Sequence, residues 1–208
     1  MAREGSRGSI PVMSGVFEYL LGQGAPFLVL PASRARTAAE ASAVFDVDLR
    51  ELVLTNLVIA RSGPACMVIP GNRVLDVQLA QRALNDPEAR MATHAEIRSF
   101  AGSIDLDALP PLPMWLMAPM YVDPAVASLD QLVFPAGRVS TLVCMQREDL
   151  FREQPYAVVA LTLESYVPPP AIAPARRMVI RDEDLIPVHL LEEQQAAEGN
   201  EPRPADVA

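Results

Sequence analysis

The sequence predicts a mixed α/β (α+β) fold, a partly antiparallel β-sheet with packed helices, on three observations. Half of the 208 residues are hydrophobic and 21% are charged, a globular composition at a length that suits one full-sized domain better than two. Short segments with helical spacing carry their own caps, and apolar β-branched runs sit between turn residues. The elements run helix, strand, helix, two strands, two helices, three strands, which lacks the strict alternation of a doubly wound parallel sheet.

Ser14 can cap a helix whose Val16, Phe17, Leu20 and Leu21 form one apolar face, ended by Gly22 and Gly24. Phe27 to Leu30 then reads as a short strand. Thr37 and Glu40 have the spacing of a capping box that opens a helix through Phe45, and Asp48 to Glu51 reads as one more turn. Leu52 to Ala60 and Ala65 to Pro70 are predicted central strands joined by the hairpin punctuation Arg61-Ser-Gly-Pro64. Asp76 caps a helix in which Val77, Leu79, Ala80, Ala83 and Leu84 recur at helical spacing, and Asn85-Asp-Pro87 stops it. Thr93-His-Ala-Glu96 is a second capping box, opening a helix to Phe100. After the proline-rich loop Leu109 to Pro113, the runs Leu116 to Val122, Leu132 to Phe134 and Ser140 to Met145 read as strands. Glu148 to Arg152 reads as a closing helical turn, and Tyr156 to Leu163 as an edge strand.

The expected organisation is a flexible N-terminus over 1–11, a domain over 12–155, a partly ordered C-terminal extension over 156–190 and a disordered acidic tail over 191–208. Charge follows the same division. Residues 1–160 hold 13 arginines against 17 acids, and the last 48 residues hold 4 against 9. No cluster of arginines could displace counterions along a nucleic-acid backbone, so at most a short nucleic-acid end could be held. No stretch approaches the roughly 18 apolar residues of a membrane helix, and no apolar run follows the N-terminal arginines. A soluble, cytoplasmic protein without membrane contact is the expectation.

Several chemistries are excluded or unsupported. All 17 basic residues are arginine, so no lysine is available as Schiff base, general base or phosphate ligand. Cys66 and Cys144 each lie in an apolar stretch and read as buried thiols. His94 and His189 have no Cys or carboxylate at metal-ligand spacing, and no metal or cofactor is expected. Gly22-Gln-Gly24 follows a helix and reads as a C-cap rather than a phosphate loop. Asp105 and Asp107 lack a partner base for acid/base work and read as solvated loop residues. No Gly-x-Ser-x-Gly elbow is present, so any hydrolysis must use water. The dense apolar run Met114 to Met120 reads as core, or as a surface for a protein partner.

The body from about Val16 to Arg152 resembles the YbaK/ProX aminoacyl-tRNA editing proteins in the order and spacing of its landmarks. These are the helix Thr37 to Ala41, the strand Leu52 to Val58, and the segment Met67-Val-Ile-Pro-Gly-Asn-Arg-Val-Leu-Asp76 leading into an amphipathic helix. Pro110-Pro-Leu112, Met120-Tyr-Val-Asp123, Ala136-Gly-Arg138 and Glu148-Asp-Leu150 follow. The resemblance implies a trans-editing pocket that receives the aminoacylated 3' end of a mischarged tRNA and hydrolyses its ester, with donors for the oxyanion. It implies Thr55, Gly71, Asn72, Pro111, Leu112, Gly137 and Arg138 as substrate-binding positions.

Three positions depart from the family pattern. The family's pocket lysine is replaced, by Leu54 on an ungapped count or by Thr55 when Asn56-Leu57 is matched to the family's Asn-Leu. The family's Gly-Asp is Gly71-Asn72 here. Its glycine-rich loop is Asp107-Ala-Leu-Pro-Pro-Leu-Pro113, which adds a carboxylate and removes a backbone donor. Arg34 and Arg138 are the nearby cations that could stand in for the lysine. A deacylase working without lysine is therefore one implied function, and a non-catalytic binding or regulatory module built on the same fold is the other. The extension beyond Tyr156 could dock on the body or on a partner.

Overall fold

The computed structural model describes residues 12–32, 35–102, 104–152 and 154–163. The chain begins with α1 (Val12–Gly22), β1 (Phe27–Pro31) and α2 (Ala38–Val44), followed by the hairpin β2 (Val53–Ala60) and β3 (Gly63–Pro70). Next come α3 (Val77–Leu84), the two-residue β4 (Arg90–Met91), α4 (His94–Ala101), α5 (Pro113–Leu116) and β5 (Met120–Val122). The last described elements are α6 (Pro124–Ala127), β6 (Gln131–Pro135), β7 (Thr141–Gln146), α7 (Arg147–Phe151) and β8 (Tyr156–Val158). The strands form a three-stranded antiparallel sheet, β1-β7-β6, and a five-stranded sheet, β4-β2-β3-β5-β8. In the larger sheet β5 and β8 run parallel to β3, and β2 and β4 run antiparallel to their neighbours. The fold is mixed α/β, as the element order predicts.

Period-two alternation sorts the apolar side chains of the strands into layers. Val53, Leu57, Cys66 and Val68 of the hairpin join Leu132, Phe134, Val143 and Met145 of the smaller sheet in the main core, closed by Phe17 and Leu20 of α1 and by Leu109 and Leu112. The opposite face of the smaller sheet buries Leu28, Leu142 and Cys144 against Ala38 and Ala41 of α2. The opposite face of the hairpin buries Val58, Met67 and Ile69 against Ala80 of α3 and Leu161.

Most local signals produce the elements they predict, and five need correction, one being the edge strand expected over Tyr156 to Leu163, which is only Tyr156–Val158. Ser14 does not cap α1, because the helix already includes Val12. Thr37 caps α2 by accepting from the Glu40 N–H, yet the Glu40 carboxylate takes the Arg36 N–H instead of closing the box. The hairpin turn is only Arg61-Ser62, with Gly63 and Pro64 already in β3. The strand expected over Leu116 to Val122 is reduced to Met120–Val122, because Pro113 opens a helical turn and Met117 closes it in the left-handed region at φ 53. The expected N-terminal segment, the chain beyond 163, Arg34 and His189 lie outside the described residues.

The second capping box is complete. Thr93 Oγ1 accepts from the Glu96 N–H, and Glu96 Oε2 accepts from the Thr93 N–H at 2.8 Å. The Arg90 guanidinium beside Glu96, followed by the Thr93 donors, holds the Glu96 carboxyl well below the usual carboxylate range. A carboxyl whose folded pKa is depressed stabilises the fold above its unfolded value near about 4.3 and loses that contribution as the pH falls below it. The difference in melting temperature between the wild type and Glu96→Gln is therefore expected to be full at pH 6–7 and to shrink below about pH 4. A difference that stays constant down to pH 3 would contradict the pairing.

Candidate functional site

On β2, Val53 and Leu57 contribute to the main core, and strand alternation puts Thr55 on the same face. Leu54 points the other way and packs against the two outer layers. Thr55 is 9% exposed, and its Oγ1 is buried with no hydrogen-bond partner among the described residues. A buried hydroxyl in that state is uncommon in folded proteins.

The ladder fixes the direction of the Thr55 main chain. In the β2–β3 ladder Gly71 N–H donates to Leu52 O at 2.6 Å, which makes Leu52/Gly71, Leu54/Ile69 and Asn56/Met67 the hydrogen-bonded pairs. Thr55/Val68 is then a pair without mutual bonds. Consistently, Val68 O turns away to accept from Asp123 N–H, and Pro64 and Pro70, which have no N–H, fall on the same alternate rows. The N–H and C=O of Thr55 therefore point to the other edge of β2.

That edge is bridged at both ends. At one end β6 approaches in parallel, with a Leu52–Val133 bridge and Val133 N–H donating to Glu51 O. The next rung would need an N–H from residue 135 for Val53 O, and residue 135 is proline. At the other end β4 pairs with Val58 and Ile59, and Ala92 N–H donates to Leu57 O. The following rung would join Thr55 to His94, but the Thr93 capping box has already turned the chain into α4. In the parallel register of Leu52 and Val133 the carbonyl of Pro135 falls opposite the Thr55 N–H.

The other positions named from the resemblance fall in three places. Gly137 and Arg138 form the β6–β7 turn, which is tied to the preceding loop: Gly137 N–H donates to Ala108 O, and Asp105 accepts from the Val139 N–H and pairs with Arg138 at 3.4 Å. Gly137 has φ 88, the left-handed region that favours glycine. Asp105 is thus a brace for this turn, whereas Asp107 is solvated. Pro111 and Leu112 are buried, Leu112 completely, in the main core beneath the Thr55 face. Gly71 and Asn72 lie beyond the end of β3. Asn72 is four residues past Val68, the residue opposite Thr55, or roughly 13 Å along the strand. Asn72 Oδ1 is also buried without a partner among the described residues.

Gly71 has a packing reason of its own. A Cβ there would lie 2.9 Å from Leu52 Cδ2 and 3.1 Å from both Leu49 O and Leu52 Cβ. Gly71→Ala is expected to cost about 1–3 kcal/mol in a denaturant titration, while Gly22→Ala, which meets nothing within 4 Å, stays within about 0.5 kcal/mol. Equal effects would contradict the close approach at Leu52.

The site is electrically quiet. Among the described residues the buried charged side chains are Asp86 and Asp123, neither of them in the main core. Asp86 holds the β2–β3 turn by accepting from Arg61 N–H at 2.7 Å. Burial pushes the Cys66 thiol up to about 12 and the Cys144 thiol up to about 11, so neither is a thiolate nucleophile at neutral pH. His94 is exposed, and no group of three potential metal ligands occurs among the described residues. Of the apolar run 114–120, Leu116, Ala118 and Met120 are buried and Met117 is 88% exposed.

Asp123 was visible only as a landmark, yet it organises the far side of the sheet. Its Oδ1 accepts from Ala125 N–H, and its Oδ2 accepts from Leu161 N–H, Thr162 N–H and Thr162 Oγ1 at 3.0–3.1 Å. The Arg73 guanidinium lies 3.8 Å from the same carboxylate and donates to Thr162 Oγ1. The Asp-Pro pair at 123–124 is a helix-start signal that could have exposed its capping role.

Residues 32–153 match the aminoacyl-tRNA editing domain family. Among solved structures, the fold is similar to a candidate trans-editing enzyme for prolyl tRNA synthetase, with TM-score 0.64 and 24% identity over 74% of this chain and 98% of that one. A hypothetical protein matches at TM-score 0.64 and 24% identity over 71% of this chain and 99% of that one. A candidate signal transduction protein from Marinobacter aquaeolei matches at TM-score 0.54 and 22% identity over 75% of this chain but only 31% of its own. No curated protein matches the chain. No helix among the described residues is long and apolar enough to cross a membrane.

Proposed function

Because the chain belongs to the aminoacyl-tRNA editing domain family, we propose that it receives the aminoacylated 3' end of a mischarged tRNA and hydrolyses the ester without a lysine. In that reaction water adds to the acyl carbon, the acyl–oxygen bond breaks, and the ribose oxygen leaves with a proton from the water. The observation that carries this reading is the buried Thr55 hydroxyl on the inner face of β2, which has no hydrogen-bond partner among the described residues. Thr55, on the inner face, is the position we assign to the family lysine, and Leu54, packed in the outer layers, is set aside. Gly137 and Arg138 would form one rim of the site. The working unit is the domain over 12–155, and its location is the cytoplasm, where charged tRNA is used.

The test is release of free amino acid from a panel of mischarged tRNAs, compared with buffer. Release above buffer for at least one pair is the expected result, and none across the panel would sink the reading. A second reading, a non-catalytic binding module, is favoured by one observation: Leu109 and Leu112 fill the core beneath Thr55, and its hydroxyl has no access to solvent. Saturable binding of aminoacylated tRNA without release would select it.

A further inference from the structure

We propose that Arg98 on α4 holds a backbone phosphate of the single-stranded RNA end that carries the aminoacyl group. The inference rests on the editing reading above and names the cation which that reading requires. Acids outnumber arginines 17 to 13 over residues 1–160, so an RNA end meets a repulsive surface unless a cation is left free beside the site. Most described arginines are already committed. Seven of them pair with carboxylates, and Arg147 donates to the Leu129 carbonyl. Arg82 and Arg98 are exposed, and their guanidinium groups make no hydrogen bond or ion pair among the described residues.

Packing decides between the two. Arg82 belongs to α3, whose Ala80, Ala83 and Leu84 join the layer on the opposite face of the hairpin from Thr55. Arg98 belongs to α4, whose Ile97, Phe100 and Ala101 pack against the main core, the side on which Thr55 lies. The register of β4 on β2, carried on from Met91 opposite Val58, brings His94, the first residue of α4, to the level of Thr55. Arg98 follows one turn later, roughly 6 Å along the helix. The loop after α4 then reaches the Gly137–Arg138 turn through the Asp105 ion pair. Glu96, the acid of α4, is about 200° around the helix from Arg98 and is held by Arg90, whereas the exposed His94 shares the flank of Arg98. A free guanidinium presents its fork to a phosphate at no cost in broken pairs. Arg138 would first have to leave Asp105, the carboxylate that also accepts from the Val139 N–H.

The experiment titrates the full-length protein with two probes over a range of salt concentrations. One is an amide-linked 3'-aminoacylamino-3'-deoxyadenosine, which has no phosphate, and the other carries the same residue at the 3' end of a short single-stranded RNA. Arg98→Gln should weaken the RNA probe roughly tenfold at low salt and flatten its plot of log affinity against log salt by about 0.7, the share of one phosphate contact on a single strand. It should leave the phosphate-free probe unchanged. Arg82→Gln removes the same charge from the other face and should change neither probe. Both arginines are exposed, so both variants should melt with the wild type. An unaltered salt slope in Arg98→Gln overturns the inference, as does an equal change in Arg82→Gln or an equal loss with the phosphate-free probe. Binding of the phosphate-free probe with no gain from the RNA refutes this inference only, whereas the absence of binding by either probe removes the editing reading with it.

Discussion

Replacing Asp123 by alanine is expected to lower stability by about 3–5 kcal/mol, because it strips the acceptor from a buried cluster of donors. Asp123 is 2% exposed and accepts four hydrogen bonds, from Ala125 N–H, Leu161 N–H, Thr162 N–H and Thr162 Oγ1. Removing the carboxylate leaves three backbone N–H groups without their acceptor and the Arg73 guanidinium without its ion-pair partner. For a domain of this size the melting temperature should fall by roughly 10 °C. Asp123→Asn retains an acceptor oxygen on one side only and should cost roughly half as much. The loss should be local at first: amides of Leu161 and Thr162, and of Asp76, whose N–H donates to Leu161 O, should lose protection before those of β2 and β3. A melting temperature within about 2 °C of the wild type would show that the cluster does not hold the 159–163 segment.

Leu112→Ala separates two roles for the proline-rich loop. As a residue lining a substrate pocket, Leu112 could be shortened at little cost to the fold. It is instead fully buried with Val53, Leu57 and Val68 in the main core, so truncation should cost about 2–5 kcal/mol through lost burial and the cavity left behind. A cost below about 1 kcal/mol would return Leu112 to the pocket wall. Leu109 and Leu112 of this loop thus belong to the core.

What could be read from sequence was local, and what could not depended on distant pairing. The caps at Asp76 and Thr93, the β2–β3 hairpin and the strands β6 and β7 were legible because each signal is local in the sequence. Thr37 was half legible: its hydroxyl caps α2, but the competing Arg36 pairing of Glu40 has no signature in the spacing. The run 116–122 read as one strand because its composition is uniformly apolar, and only the left-handed Met117 divides it. The short β2–β6 pairing needed two facts that are far apart in sequence, the parallel approach of Val133 to Leu52 and the position of Pro135 within it. Pro135 was visible as a residue, but its consequence was not, since a proline ends a ladder only where its N–H was required. Asp123 shows the same limit, because half of its hydrogen bonds go to Thr162, 39 residues away.

The account turns on where an aminoacyl group is held, and a structure of the protein with an amide-linked aminoacyl-adenosine tests that most directly. The predicted result is the aminoacyl group beside Thr55, with Gly137 and Arg138 at one rim. An aminoacyl group bound away from Thr55 would contradict it.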